Sequence, residues 1–174
     1  MLNPDFYTIT MELYYTYYES PIGLIKIGGT DALITELSFI DNSEQMVYGE
    51  PGVSDSIHYC TEQLIEYFSG RRKSFHVPIS QEGTDFQKKV WNELTEVEFG
   101  KTASYLDIAK RLGDPKCIRA AANANGKNKI AIIIPCHRII GTDKSLTGYS
   151  GGMWRKKWLL QHEFRITNGI QTLF

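Results

Sequence analysis

Ile132-Ile133-Ile134-Pro135-Cys136-His137-Arg138-Ile139-Ile140 sets two apolar β-branched runs around four residues that do not belong in a core. Residues 130–134 read as a buried strand, since a short unbroken apolar run fits a pleated surface covered on both faces. Pro135 cannot donate to a ladder, so the pairing is predicted to end there. Cys136 and His137 then stand where a strand leaves the core. A thiol is mostly protonated at neutral pH and the thiolate is the nucleophile. A base oriented by an acid would generate it. On Cys-His adjacency alone, a structural Cys beside a satisfied His is the better reading, because Cys is among the most buried residue types.

At 174 residues and 42% apolar content the chain can bury a real core as one domain or two small ones. No apolar run is long enough to span a bilayer. The start, Met1-Leu2-Asn3-Pro4-Asp5, lacks the basic and apolar regions of a secretory signal. Cys60, Cys117 and Cys136 are odd in number and widely spaced, which argues against a disulfide framework and fits a reducing compartment. A cytoplasmic protein is therefore expected, with no membrane partner. No Cys-x-x-Cys or His-x-x-x-His pair occurs, so no metal site is expected. The net charge of −1 hides an asymmetry. Residues 1–82 carry 4 Lys+Arg against 12 Asp+Glu, a net −8, and residues 83–174 carry 15 against 8, a net +7. A basic half joined to an acidic one suits a chain in which only one half meets phosphates.

In chain order, residues 11–18, 24–27 and 33–39 read as three strands of an antiparallel meander, turning at Ser20-Pro21-Ile22-Gly23 and at Gly28-Gly29-Thr30-Asp31. Residues 41–54 read as a loop. Ile57, Cys60, Leu64, Tyr67 and Phe68 recur at near-helical spacing over 55–68, and Gly70 follows. A further strand is expected at 75–79. His58 and His76 have no evident partners, and nothing in this half has catalytic spacing. The expected fold class is α+β: a small N-terminal antiparallel sheet with a helix (residues 1–82), then a mostly helical C-terminal domain (residues 83–174).

Thr84-Asp85-Phe86-Gln87 is a capping box. Phe86, Val90, Trp91 and Leu94 give the helix behind it an apolar face. Ser104-Tyr105-Leu106-Asp107 opens another helix, stopped by Gly113. Asp114-Pro115 then caps a helix over 116–125. Two short helices joined by a Gly-containing turn read as a helix-turn-helix. The second helix exposes small side chains, Ala120, Ala121 and Ala124, with Arg119 as its one long residue. Such a surface suits close approach to a minor groove. Close helix packing uses Ala equally, and on residues alone both readings stand. Ser150 is expected to cap the last helix, over 153–163, with Trp154, Trp158, Leu159 and Phe164 as its apolar contacts; residues 165–174 are expected to be loosely held.

The motif Cys136-His137 is preceded by Ser104-Tyr105, Arg119 and Asn128. It is followed by Gly148-Tyr149-Ser150-Gly151-Gly152 and by Lys156-Lys157-Trp158-Leu159-Leu160-Gln161-His162-Glu163. In this combination the chain resembles the O6-alkylguanine-DNA alkyltransferase family, closely over residues 83–163 and more weakly over the first half. The resemblance implies DNA repair by irreversible transfer of an alkyl group from O6-alkylguanine, and from O4-alkylthymine as a further substrate, to the protein's own Cys136. His137 would take the thiol proton through a water, and Glu163 would hold the His tautomer. Tyr105 would bond the flipped base, and Lys156 would add positive potential near it. Arg119 would fill the vacated stack, with Ala120, Ala121, Ala124, Tyr149 and Ser150 also meeting the DNA. Asn128 occupies the position of the family's hinge Asn, although the Pro that usually follows it is Lys129 here.

The implied protein is a monomer that acts once on double-stranded DNA from the minor groove, without cofactor. His137 and Glu163 are expected to depress the Cys136 pKa. Two other classes use the same features. A cysteine hydrolase would need an oxyanion hole and would turn over. A non-catalytic binder would flag alkylated DNA for other repair pathways, but such relatives lack the nucleophilic Cys.

Overall fold

The computed structural model describes residues 12–41 and 54–169. The start of the expected first strand, most of the 41–54 loop and the end of the tail lie outside the described residues. Strands β1 (Tyr14–Ser20), β2 (Gly23–Gly29) and β3 (Ile34–Ile40) form the expected antiparallel sheet in the order β1-β2-β3. The first turn is closed by Ser20, whose hydroxyl donates to Gly23 O at 2.6 Å. Gly23 has a φ of 105°, a conformation that costs glycine little. Across the sheet, Lys26 pairs with Glu36 at 2.9 Å.

Helix α1 (Asp55–Phe68) has the expected bounds and is capped by Ser54. The Ser54 and Ser56 hydroxyls both donate to Thr30 O, which pins the start of the helix to the β2–β3 turn. Cys60 is packed in its buried face, where burial pushes the thiol pKa up to about 12. The two histidines of this half do have partners: His58 faces Glu62 at 3.4 Å, and the His76 ring lies 3.3 Å from Arg72 Nη1. Such i,i+4 neighbours on exposed turns carry no distinctive sequence signal.

Neither of the two remaining expected strands forms. Residues 75–79 and 130–134 each make a single bridge to β3, at Ile34↔Ile79 and Leu37↔Ile130. Leu37 N donates to Lys129 O at 2.8 Å and Leu37 O accepts from Ala131 N at 2.9 Å; the backbone then turns away. The open edge of β3 thus holds two short segments of the chain at single points.

The helical half follows its local signals. Helix α2 (Asp85–Thr95) opens on the Thr84–Gln87 capping box. Helix α3 (Tyr105–Arg111) opens on a second box, between Ser104 and Asp107. Gly113 turns at φ 91°, and Asp114 caps a 3-10 turn (Pro115–Cys117) that runs into α4 (Ile118–Gly126). Strands β4 (Ala103–Ser104) and β5 (Ile139–Ile140) form a short parallel pair. Helix α5 (Met153–Asn168) closes the fold. Its N-cap is Gly152 without a side-chain bond, so Ser150 does not cap it. The helix runs past Glu163 to Asn168, so residues 165–168, expected to be loose, are helical. Trp154 and Phe164 are exposed; Leu159 carries the buried contact, with Trp158 packed beside it. No helix among the described residues is long and apolar enough to cross a membrane.

One continuous core joins Ile25, Ile27 and Leu37 of the sheet and Leu64 of α1 to Val90, Leu94, Ile108, Ile139 and Leu159. Full burial of such side chains stabilises by about 1.5–3 kcal/mol each. A polar strap reinforces the join. Buried Arg155 on α5 donates to Ile22 O at 2.8 Å and Gly151 O at 2.9 Å, and pairs with Asp41. Its guanidinium lies between the Phe39 and Trp154 rings. Arg155→Met should leave both carbonyls without their charged donor. Urea denaturation should show a loss of about 2–4 kcal/mol, while Arg155→Lys should recover little because one ammonium cannot span three acceptors.

Candidate active site

The site is built on Asn128. Its Oδ1 accepts from Ile130 N at 3.0 Å and from Gln81 Nε2 at 3.1 Å. Its Nδ2 faces Ile134 O at 2.9 Å, Ile130 O at 3.3 Å and Cys136 Sγ at 3.2 Å. One amide therefore folds residues 130–134 into a compact turn and donates to the sulfur at its end. Within that turn Ile132 has a φ of 69°. A β-branched residue in this region costs about 1–3 kcal/mol and persists only where its surroundings enforce it. This is the physical reason the apolar run is no strand: its carbonyls at 130 and 134 point to one side chain, not to a ladder.

Pro135 leads into a 3-10 turn, Cys136–Arg138. All three side chains are buried, contrary to the expectation that they leave the core; Cys136 is 2% exposed and His137 0%. They are tolerated there because Glu163, also 0% exposed, meets two of them. Glu163 Oε1 accepts from His137 Nε2 at 2.7 Å, Arg138 Nη2 at 3.1 Å and the Tyr67 hydroxyl at 2.8 Å. Oε2 accepts from Arg138 Nε and Gly100 N, both at 3.0 Å. Burial alone would favour the neutral acid, but His137 and Arg138 outweigh it and hold the carboxyl below its usual range. An ionised carboxylate only accepts, so His137 Nε2 carries the proton. Nδ1 is then the imidazole's basic nitrogen, and it has no hydrogen-bond partner among the described residues.

Burial pushes the His137 pKa below 6.5; Glu163 opposes this, while Arg138 and Lys156 add to it. Burial raises the Cys136 thiol, partly offset by the Asn128 amide and by Lys156. The expected depression of the thiol is thus reversed. At neutral pH the resting pair is thiol and imidazole, both uncharged. Sequence adjacency supplies a partner but does not reveal that both groups are dry.

Lys156 is 0% exposed, and its Nζ donates to Ile139 O at 2.5 Å and Thr147 O at 2.7 Å, with Gly148 O at 3.4 Å. Burial brings its pKa down to about 8. It fastens the 147–150 loop over a cleft of about 520 Å³ lined by Tyr105, Arg119, Asn125, Thr147, Tyr149 and Ser150 among others. The Tyr105 hydroxyl donates to Thr147 O at a long 3.4 Å. Tyr105 and Tyr149 both lie within electrostatic reach of Cys136.

On α4, Arg119 and Ala120 are exposed. Ala121 and Ala124 are not: they are 1% and 2% exposed, turned into the core, where Ala124 O takes the Trp91 indole N–H at 2.9 Å. Those two alanines serve helix packing, and the exposed residues of the helix are Ile118, Arg119, Ala120, Asn123 and Gly126. Sequence reasoning assigned no role to Tyr67, Arg138, Gly100 or Gln81. A tyrosine on the apolar face of a helix is the only hint for Tyr67, since a buried hydroxyl needs a partner.

A small sheet with a helix, joined to a half of short capped helices that turn at Gly113, places this chain in a DNA-binding class of protein. The chain belongs to the 6-O-methylguanine DNA methyltransferase family: residues 13–81 match the model of its ribonuclease-like domain and residues 85–165 that of its DNA binding domain. It is 42% identical over 153 residues to a methylated-DNA--protein-cysteine methyltransferase of Methanosarcina acetivorans, covering 87% of this chain and 98% of the relative. A constitutive methylated-DNA--protein-cysteine methyltransferase of Bacillus subtilis is 40% identical over 159 residues, 88% of this chain and 96% of that one. A crystal structure of Mycobacterium tuberculosis OGT in complex with DNA aligns with a TM-score of 0.81 at 38% identity, covering 88% and 94% of the two chains.

The charge pattern at the site fixes a pH dependence. The folded pKa values of His137 and Glu163 both lie below their ordinary values of 6.5 and 4.5. Each group binds protons more readily when unfolded, so its stabilising share is complete above the ordinary value and is lost as pH falls toward the folded one. Denaturation midpoints should therefore begin to drop near pH 6.5 and drop further below 4.5. Glu163→Gln should shrink the second step, to which Asp41, Asp107 and Asp143 also contribute, and cost about 3–5 kcal/mol at pH 7, because Arg138 is left buried without its counter-charge.

Proposed function

We propose that this protein repairs alkylated DNA by moving the alkyl group of O6-alkylguanine to Cys136, once per molecule. The observation that carries the reading is the Asn128–Cys136 and His137–Glu163 arrangement, with Tyr105 and Tyr149 of the cleft within electrostatic reach of Cys136. Guanine in a duplex is stacked, so its O6 substituent is reached only by extruding the nucleotide. The thin outward face of α4 suits the minor groove of double-stranded DNA, and Arg119 at its edge is the side chain that fills the vacated stack. The base enters the cleft between Tyr105 and the 147–150 loop.

The chemistry is one displacement. Cys136 Sγ forms a bond to the alkyl carbon, the carbon–O6 bond breaks, and its electron pair leaves on the guanine. The thiol proton passes, through water, to His137 Nδ1. Glu163 stabilises the imidazolium through Nε2–H. The Tyr105 phenol gives its proton to the departing guanine anion and recovers one, by way of water, from the His137 imidazolium, so that the thiol proton ends on guanine; Lys156 adds positive potential close by. A thioether has no hydrolysable bond and no residue here would cleave it, so the molecule is spent after one transfer. The reading as a mere flag for lesions is disfavoured by the thiol and its base.

In this reading labour divides at residue 82: the sheet half supports, and the half from residue 83 binds DNA and reacts. All the groups named lie on one chain, so the acting unit is a monomer. The three cysteines are free thiols, which fits the cytoplasm.

Incubation with duplex DNA carrying O6-methylguanine should add one methyl to the intact mass, and peptide mapping should place it on Cys136. A methyl on Cys60 or Cys117, or steady release of product, would overturn the reading. Arg119→Ala should slow transfer from duplex DNA by about 10- to 100-fold, the worth of a few kcal/mol of unstacking, yet leave transfer from the free alkylated base nearly unchanged.

A further inference from the structure

Tyr67 belongs to α1, outside every motif of the helical half, yet it ends on the catalytic carboxylate. Its hydroxyl donates to Glu163 Oε1 at 2.8 Å across 96 residues of sequence, and it is 0% exposed. Its backbone is held as well, because His162, the neighbour of Glu163, places Nε2 at 2.8 Å from Tyr67 O. The ring is wedged edge-on against Phe68 and Phe99, with centroids at 5.3 and 6.0 Å, and tilted against Phe75. A phenol fixed at both ends in this way cannot follow Glu163 if the carboxylate moves.

We propose that Tyr67 is a positioning residue for alkyl transfer, which by occupying Glu163 Oε1 limits how strongly that carboxylate pulls on His137 and so keeps the imidazole neutral and ready to accept the thiol proton. The inference rests on the alkyl-transfer reading above. Its physical basis is competition at one oxygen. Oε1 takes three donors, from Tyr67, His137 and Arg138. Each spreads part of the negative charge, and removing the neutral one returns charge to the other two. More charge facing Nε2–H favours the imidazolium and raises the His137 pKa.

The other groups facing this cluster do not change in the comparison. Arg138 stays paired through both nitrogens, and Gly100 N stays on Oε2. Lys156 disfavours the imidazolium with or without Tyr67. His162 is held neutral by burial, and Tyr149 by its own buried hydroxyl.

The test is Tyr67→Phe, which removes one oxygen and keeps the ring packing. Glu163 retains four donors, so the variant should fold; a thermal melt checks this. Two readouts are needed. In Cys136→Ala protein, where no transfer occurs, NMR titration of His137 should give a pKa higher by about half a unit or more when Tyr67 is Phe. In the reactive protein, the rate of methyl transfer should lose its acid limb at correspondingly higher pH, with a several-fold loss near pH 6 and little loss near pH 8. A purely structural tyrosine would lower the melting temperature or slow transfer equally at all pH. An unmoved His137 titration and an unmoved acid limb would overturn the proposal, whatever the melting temperature does. If the wild-type protein transfers methyl and only the pH shift is absent, this inference alone fails. Absence of transfer by the wild type would overturn the alkyl-transfer reading and this assignment with it.

Discussion

A carboxylate cut off from water must be surrounded by donors or lose its charge. Glu163 satisfies that condition by drawing on three separate stretches of chain: α1 through Tyr67, the loop after α2 through Gly100, and the Cys136–Arg138 turn through two consecutive residues, all converging on α5. Each donor fixes the register of its own segment against α5. The arrangement is therefore structural and chemical at once. The ionised state needed to orient His137 is the same state that holds the sheet half to the helical half.

The second constraint is local. Asn128 gathers the carbonyls of Ile130 and Ile134 and the sulfur of Cys136 onto one amide, and Gln81 braces that amide from the segment before α2. The reward is a sulfur at a defined point in a dry pocket; the cost is Ile132 in a conformation that β-branched residues avoid. Unpaired backbone would make such a turn untenable in a core, and the bridge to Leu37 of β3 settles Ala131 N within it and Lys129 O just before it.

Much of the molecule was legible in the sequence wherever the signal is local. The helix over 55–68, the Thr84 capping box, the stop at Gly113 and the three-strand meander depend on neighbours within a few residues, and all appear. The apolar run 130–134 misled because hydrophobicity reports burial and not whether a partner strand exists; β3 offers that segment one bridge. Ala121 and Ala124 misled because Ala suits both a helix packed inward and a helix pressed on DNA. Tyr67 was invisible for a different reason: its meaning lies 96 residues away, and nothing in the spacing around it distinguishes a ring in the core from a ring with a catalytic errand. The thiol was read as activated because its partners were apparent, whereas its desolvation was not.

The outward face of α4 has a consequence for how damage is found. On the proposed reading α4 faces the DNA, and its exposed Ile118, Arg119, Ala120 and Asn123 offer few groups able to distinguish one base pair from another, while a basic half is drawn to phosphates of any sequence. Discrimination then falls to mechanics: a weakly paired nucleotide is cheaper to rotate out than a sound one. On the proposed reading, selectivity is set by the softness of the lesion as much as by the shape of the cleft that receives it.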